Sequence, residues 1–225
     1  MMSDIEDQFS MFEPEDLHPD LVPFLNRSSF GKILQHPLIY SVPYTPLTNK
    51  MLNKRYEYVK QRIQEAIESK KWSSVVFLHE RPYRTQKLYE YSVDIFNSSP
   101  KTYWELLASV WVDTENVWQN HEVWDDLWSF EHRLHVMDKK EITALEKLPR
   151  ILTVYRGITN YRFRKGLAWT LDQKKAEWFS KRFANDKPCV LVGTILKEKV
   201  LAHFLGRNEK EIVAFYHDVR DIKRI

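Results

Sequence analysis

Glycine is distributed very unevenly along this chain, and that distribution limits the folds that the sequence can adopt. Of the five glycines in 225 residues, four lie within residues 152–215, and none lies between Gly31 and Gly157. Glycine is used where a backbone turns sharply or approaches another group closely. We therefore expect a long first part without such turns, and a second part in which turns separate short strands.

The composition is that of a globular protein with a sizeable core. Hydrophobic residues make up 43% of the chain, and the formal net charge of +3 is too small to indicate a nucleic-acid-binding protein by itself. The single cysteine, Cys189, excludes an internal disulfide, and its place at the start of an apolar run predicts a buried thiol. The acidic start, MMSDIEDQFSMFEPEDL, is unlike a secretion signal. No apolar run reaches membrane-spanning length, so we expect a cytoplasmic protein with no membrane partner.

Two regions are expected in the first part of the chain. Residues 1–45 are rich in proline and show little periodicity, which predicts a partly ordered arm with short turns. The apolar pieces of this arm, residues 22–25 and 38–40, could dock on the main body. Residues 46–149 are expected to form a helical subdomain.

The helical subdomain is predicted from periodicity and from helix-start signals. Apolar side chains recur at spacings of three and four between Asn49 and Lys70, which predicts an amphipathic helix. A second helical block begins near Ser99 and Pro100, a pair suited to a helix N-terminus, and is predicted to break near Asp113. Between the two blocks, the apolar run at residues 75–78 predicts a short strand.

Two features of the helical subdomain leave alternatives open. Trp104, Trp111 and Trp118 stand seven residues apart, which places them on one helical face. They could form a ligand platform, but a core role is favoured because such rings bury a large apolar area. His132 and His135 could hold a metal, but the sequence offers no convincing third ligand, and no metal is predicted.

Residues 150–225 change to a β pattern. Short β-branched and aromatic runs predict strands at residues 151–155, 167–170, 190–196, 200–204, 212–215 and 219–225, the last at a sheet edge. The second strand leads into a helix capped by Thr170 or Asp172. The inner face of that helix carries Ala176, Phe179 and Phe183. A helical half packed on a small, mostly antiparallel sheet gives an α+β fold.

Polar residues stand at the borders of these strands. Arg156 ends a strand directly before Gly157, Thr170 ends the next strand, and Glu209 and Glu211 precede another. Residues two apart in an extended segment point to the same side, so both carboxylates could face one cleft. Arginine presents a planar fork suited to phosphate, and a carboxylate can stabilise positive charge on a sugar carbon. Together these groups suit a nucleotide substrate that is cleaved at a glycosidic bond.

Over about residues 150–225 this series resembles the ADP-ribosyltransferase superfamily of the arginine–serine/threonine–glutamate type, with the look of a phage or bacterial member. VYRG at residues 154–157 matches the aromatic-Arg-Gly motif of that family. AWT at 168–170 and AEWF at 176–179 occupy the place of its serine-rich strand and Ala-x-x-Phe helix, and EKEIV at 209–213 fits its Gln/Glu-x-Glu motif. One departure is Ala168, which stands where the family has its first serine. The hydroxyl lost there is expected to support the catalytic glutamate, so either Thr170 substitutes or activity is weaker.

The resemblance implies a split-sheet catalytic core that takes NAD as its substrate. Arg156 would bind the phosphates, and Gly157 would let the backbone pass close. Glu211 would hold the 2′-hydroxyl of the nicotinamide ribose and stabilise the oxocarbenium-like state, while Glu209 would orient or deprotonate the nucleophile. The other residues implied to bind NAD are Tyr155, Thr170, which would brace the site, and Trp169 and Phe179, which could line the nicotinamide pocket.

The activity implied is mono-ADP-ribosylation of a macromolecule in the cytoplasm, that of the host if the chain is phage-encoded. In the family a Glu-x-Glu pair goes with arginine acceptors, so a protein acceptor is favoured over nucleic acid. An NAD glycohydrolase, an enzyme that modifies nucleic acid or a small molecule, and a non-catalytic binding protein remain alternatives. Basic residues near the site could guide an acidic target, although an ordinary solvated surface is favoured; they are Arg162, Arg164, Lys165, Lys181 and Arg182.

Overall fold

The computed structural model describes residues 15–29, 31–131, 133–182 and 187–225. The chain divides into two compact units, Met1–Leu88 and Tyr89–Ile225. This division lies at a different place from the predicted boundaries near residues 45 and 149, because the expected helical subdomain contributes to both units. Within the described ranges, no helix combines the length and the apolar character needed to cross a membrane.

The first unit contains a small antiparallel sheet where an arm was expected. Strands β1 (Leu25–Ser28), β2 (Gly31–His36) and β3 (Ile39–Pro43) are hydrogen-bonded in that order. The prediction of a partly ordered arm is therefore wrong for residues 15–45 as far as they are described, and residues 1–14 lie outside the described part. The strands are short, and a register shift between Leu34 and His36 interrupts the second pairing. Alternation over so few residues is too brief to identify a strand from sequence.

Helix α1 (Asn49–Glu68) packs against this small sheet and confirms the predicted amphipathic helix. The shared core consists of Leu17, Leu21, Leu34, Leu38, Ile39, Leu52 and Tyr56. Two of the apolar residues that were expected to dock, Leu38 and Ile39, are thus buried, whereas Val22 is exposed. The predicted strand at residues 75–78 is wrong, because helix α2 (Trp72–Phe77) takes its place. A short, continuous apolar run has no periodicity that distinguishes a helix from a strand.

His36, in the first unit, makes the stability of that unit depend on pH. Its ring is buried between Phe24 and Tyr56, and its Nδ1 accepts a hydrogen bond from the Leu38 N–H, so the neutral imidazole fits the site. Burial lowers the pKa of His36 to about 4, and nearby His79 acts in the same direction while Asp20 opposes it. The unfolded chain then binds a proton at a higher pH than the folded chain does.

We therefore expect the free energy of unfolding to decrease as the pH falls from about 6.5 towards about 4, by at most about 3 kcal/mol from this residue. Urea titrations at pH 7 and pH 5 would measure the decrease. In His36→Asn, whose side-chain oxygen can still accept from Leu38, the pH dependence should be smaller. An equal pH dependence in the two proteins would show that other groups cause it.

The second unit begins with a helical layer. After α3 (Arg84–Glu90) come α4 (Ser92–Ser98), α5 (Pro100–Asp113), α6 (His121–Trp128) and α7 (Lys139–Glu146). The Ser99 side chain accepts a hydrogen bond from the Thr102 N–H, which confirms the predicted cap. Helix α5 ends at Asp113, where the break was predicted. Four tryptophans form the buried centre of this layer, with ring centroids 4.9–5.8 Å apart; they are Trp104, Trp111, Trp124 and Trp128.

The described residues of the second unit also form an antiparallel sheet of six strands, called the large sheet here. The strands are β4 (Ile151–Ile158), β5 (Ala168–Thr170), β6 (Cys189–Leu196), β7 (Ala202–Phe204), β8 (Glu211–Val213) and β9 (Arg220–Arg224). Their order is β7-β8-β5-β4-β6-β9, which confirms an α+β fold with a last strand at an edge. Cys189 is buried and free, as predicted.

Helix α8 (Gln173–Lys181) follows β5 and packs on β4. The Asp172 side chain accepts from the N–H groups of Lys174 and Lys175, so it provides the predicted cap. Ala176 is fully buried on the inner face of the helix. Phe183, predicted on the same face, lies outside the described residues.

Gly157 is required by the contact between α8 and β4. A Cβ atom at this position would collide with the carbonyl oxygen of Ala176 and would lie 2.7 Å from the Ser180 nitrogen. These are backbone atoms, so no side-chain rotation relieves the overlap. The family resemblance implied that Gly157 lets the backbone pass close to NAD; in the structure, helix α8 is the group that approaches Gly157 closely.

We expect Gly157→Ala to lower the free energy of unfolding by roughly 1–3 kcal/mol, the usual cost of overpacking. Gly206→Ala is the matched control, since a Cβ atom there meets nothing within 4 Å. Urea denaturation of the two variants would measure the difference. Equal stability would mean that the α8 backbone can move away from β4 at little cost.

Candidate functional site

A cavity of about 400 Å³ opens in the second unit, within the range of small-molecule sites, which is roughly 300–1,000 Å³. The segment that follows α5, strands β4 and β5, helix α8 and the loop before β8 contribute to its wall. Every residue that the sequence singled out for catalysis or NAD binding lies at this wall: Tyr155, Arg156, Gly157, Trp169, Thr170, Phe179, Glu209 and Glu211. The structure therefore brings the three separate motifs to one place.

The sheet order explains why the motifs meet. Strand β5 lies between β4 and β8, and Thr170 is the residue that joins the three strands. It pairs with Tyr155 on one side and with Glu211 on the other. Neighbouring strands lie about 5 Å apart, so residues paired across them are close in space. Sequence spacing alone does not contain this information, since it depends on which strands pair.

Arg156 is fixed by backbone carbonyls. One terminal nitrogen of its guanidinium donates to the Ala168 carbonyl at 2.5 Å, and the other donates to the Phe163 carbonyl at 3.3 Å. A Cβ atom at Gly166 would collide with the guanidinium, so this second glycine gives the arginine its room. The Nε–H of Arg156 is buried and has no hydrogen-bond partner among the described residues. A buried cationic donor without an acceptor suits an anionic ligand.

The charge of Arg156 reflects two opposing effects. Burial lowers its pKa to about 10, because the charged guanidinium loses contact with water, and the Glu211 carboxylate favours the charged form. Arg156 is therefore still protonated at neutral pH. The cavity wall thus presents a fixed positive charge near a fixed carboxylate.

Glu211 is held by a tryptophan of the helical layer. The indole Nε1–H of Trp111 donates to the Glu211 side-chain oxygen at 3.0 Å, and only 8% of Glu211 is exposed. Buried His203, on β7, contacts the Glu211 carbonyl through Nδ1 at 3.0 Å. Trp111 is buried, as the core interpretation predicted, but its polar end also serves the site. The sequence did not connect these two residues, which lie 100 positions apart.

The two carboxylates reach the cavity by a different route from the one expected. Lys210, between them, has a φ of 46° and Asn208 a φ of 54°, so this backbone is left-handed rather than extended. The alternation argument for Glu209 and Glu211 is therefore wrong, although both residues line the cavity. Backbone contacts support the turn: the Thr170 hydroxyl donates to the Glu209 carbonyl at 2.6 Å, and the Leu171 N–H donates to the Lys210 carbonyl at 3.1 Å.

Three aromatic residues at the wall have different environments. Trp169 borders the cavity, but only 2% of it is exposed and its ring belongs to the core of the large sheet. It is therefore mainly a packing residue. Phe179 is half-buried on α8. Trp118 is half-buried too; its ring lies 4.9 Å from that of Phe163 and stacks on His121 at 4.0 Å.

The sequence did not assign the segment after α5 to the site. Residues 114–118 line the cavity together with Phe163 and Arg182. Because α5 ends at Asp113, Trp118 is not on the helical face of Trp104 and Trp111, so the stripe predicted from a seven-residue spacing is wrong for its third member. Residues 114–118 lie close to the strands because of tertiary packing, and no local sequence pattern predicts such a contact.

The metal alternative finds no support in the described part of the chain, where no group of three His, Cys, Asp or Glu side chains could hold a metal ion. His132 lies outside the described residues, and His135 is exposed.

In comparisons with known proteins, no family model, no curated protein and no solved structure matches this chain. The chemistry of the site therefore has to be argued from its own residues.

Proposed function

We propose that this chain is a mono-ADP-ribosyltransferase that cleaves NAD between nicotinamide and ribose. The observation that carries the proposal is that Arg156, Thr170 and Glu211 from three strands, and Glu209 from the loop before β8, line one cavity. The order and types of these residues are those of the arginine–serine/threonine–glutamate enzymes that the sequence resembles. A structural role alone would not require a cation and two carboxylates at one cavity wall.

The residues present fit NAD as a substrate. The unpartnered Nε–H of Arg156 and the second cation, Arg182, at the same wall suit the two phosphates. Trp118, Phe163 and Phe179 offer apolar surface for a flat ring such as nicotinamide. The cavity volume, about 400 Å³, accommodates part of a dinucleotide, with the remainder extending outwards.

Each step of the proposed reaction has a group to support it. The bond between nicotinamide and ribose breaks, its electron pair leaves with nicotinamide, and positive charge develops on the ribose carbon. Glu211, oriented by Trp111, stabilises that charge and accepts a hydrogen bond from the 2′-hydroxyl. The nucleophile then forms the new bond to the ribose carbon and gives its proton to Glu209. No redox change and no metal are needed.

The acceptor in this proposal is a macromolecule of the cytoplasm. A protein arginine is the acceptor implied by the Glu-x-Glu pair, which consists of Glu209 and Glu211 here. Hydrolysis of NAD would begin with the same step, since water can replace the acceptor once the ribose cation has formed. The products of the reaction separate these two outcomes.

The test is incubation of the purified protein with NAD labelled in the adenylate half, with and without a bacterial lysate. The Glu211→Gln variant, treated in the same way, is the control. Label on a macromolecule with the wild type alone, accompanied by free nicotinamide, supports transfer and identifies the acceptor class. Nicotinamide release with free ADP-ribose as the other product indicates a glycohydrolase. Absence of NAD turnover and of NAD binding by calorimetry would overturn the proposal and leave a binding protein.

A further inference from the structure

Positive charge is concentrated in one segment of the second unit. Residues 161–182 contain seven lysines and arginines and two acidic residues, a net charge of +5, whereas the whole chain has only +3. The same segment contains five aromatic residues, among them Tyr161 and Trp178. It comprises the short helical turn Tyr161–Arg164, strand β5 and helix α8, so it runs along the cavity wall.

Two of these aromatic residues are exposed. Tyr161 is 51% and Trp178 is 52% exposed, whereas five of the other six tryptophans in the second unit are buried. Each exposed ring has a cation over it: Arg164 lies 5.1 Å from the centroid of Tyr161, and Arg182 lies 5.2 Å from that of Trp178. An exposed ring with a cation beside it can stack on a flat group of a ligand while the cation contacts a negative group of the same ligand.

Both rings connect to the cavity through their neighbours. Phe163, between Arg162 and Arg164, lies at the cavity wall, and Arg162 lies 4.6 Å from its ring. On α8, the ring of Phe179 lies 5.0 Å from that of Trp178 and also borders the cavity. The surface made by these residues, called the aromatic–basic surface here, is therefore continuous with the site.

Five cations of residues 161–182 are not neutralised by a neighbouring carboxylate in the described part of the chain. Among the described residues, Arg162, Arg164, Lys165, Lys175 and Lys181 form no ion pair with a carboxylate. An ordinary solvated surface usually mixes charges of both signs. Single-stranded nucleic acids are bound by a different arrangement, in which cations without carboxylate partners alternate with exposed rings. The bases stack on the rings, and the phosphates contact lysine and arginine.

We propose that the aromatic–basic surface binds a single-stranded nucleic acid, with Tyr161 and Trp178 as the stacking platforms. A duplex does not offer unstacked bases to these rings, so the surface should prefer single strands. This proposal concerns binding and does not depend on NAD turnover. The bound strand lies next to the cavity, because Phe163 and Phe179 border both the cavity and this surface.

The experiment is fluorescence anisotropy of the full chain, without NAD, with labelled 16-mers of oligodeoxythymidine and oligouridine. We expect binding that weakens with salt, with a slope of about −0.7 in log K against log salt for each phosphate contact. Trp178→Ala and Tyr161→Ala should each weaken binding about 5- to 100-fold, the range for loss of one stacked base. Trp178→Phe, which keeps a ring, should recover part of the loss.

Tyr58→Ala is the matched control, because Tyr58 is 63% exposed but lies on α1 in the first unit. Its oligonucleotide affinity should equal that of the wild type. Three results would overturn the proposal: no binding at 50 mM salt, equal affinity for a duplex with no effect of Trp178→Ala, or equally tight binding of polyglutamate. A Trp178→Ala variant that weakens NAD binding and not oligonucleotide binding would assign the ring to the NAD site instead.

Discussion

Replacement of Glu211 by glutamine is expected to lower the rate of NAD cleavage by about 100- to 1,000-fold, the usual effect of removing one group that stabilises transition-state charge. The amide oxygen of glutamine can still accept from the Trp111 indole, so the substitution removes the negative charge and little else. Because the side chain is only 8% exposed, water cannot replace the lost charge. Initial rates of nicotinamide release would measure the effect.

The control for this variant is Glu198→Gln, which changes the same chemical group at an exposed position outside the cavity wall. It should leave the rate unchanged. The melting temperature of both variants should stay within a few degrees of the wild type, which separates loss of chemistry from loss of folding. A Glu211→Gln variant that cleaves NAD at the wild-type rate would remove Glu211 from the mechanism.

Trp111→Phe is expected to lower the rate of NAD cleavage by about 10- to 100-fold. Phenylalanine fills most of the same space but has no N–H, so the buried Glu211 carboxylate loses a hydrogen bond worth about 1–3 kcal/mol. Trp111 is a positioning residue here, since it acts on the glutamate and does not line the cavity. The acidic limb of the pH–rate profile should move to higher pH, because the charged form of the carboxylate is stabilised less.

The matched control is Trp124→Phe. Trp124 is equally buried and its ring lies 4.9 Å from that of Trp111, but its Nε1 has no hydrogen-bond partner among the described residues. Both variants lose the packing of one buried indole, while only Trp111→Phe should change the rate and the pH profile. Equal losses of rate in both would reduce the role of Trp111 to core packing.

The hydrogen bond from Trp111 to Glu211 also bears on Ala168, which stands where the family has a serine. The resemblance predicted that Ala168, by removing a hydroxyl, would weaken the support of the catalytic glutamate. In the structure a donor comes from the helical layer instead, through the Trp111 indole. Thr170, which the sequence suggested as a substitute for the serine, donates to the Glu209 carbonyl and so holds the backbone of the loop before β8.

Features set by short-range interactions could be predicted from the sequence. The periodicity of α1, the Ser99 and Asp172 caps and the strand at residues 190–196 depend on neighbours a few positions away, and each is found in the structure. The small sheet over residues 25–43 was missed, and α2 was mistaken for a strand. In both, the segments are too short for their own pattern to outweigh the tertiary contacts that fix them.

For the candidate site, too, some features could be predicted from the sequence and others depend on tertiary contacts. The sequence identified the side chains that are available for chemistry from their neighbours in the three motifs, namely Arg156, Glu209 and Glu211. The prediction that Arg156 ends a strand is wrong, because β4 continues to Ile158 through its pairing with β6. The way these side chains are held depends on contacts between distant segments, which are the pairing of β5 with β4 and β8, the left-handed turn at Lys210 and the hydrogen bond from Trp111. Helix caps and periodicity can be predicted because they depend on residues a few positions apart. Strand order and a contact across 100 positions arise only when the whole chain buries its apolar surface.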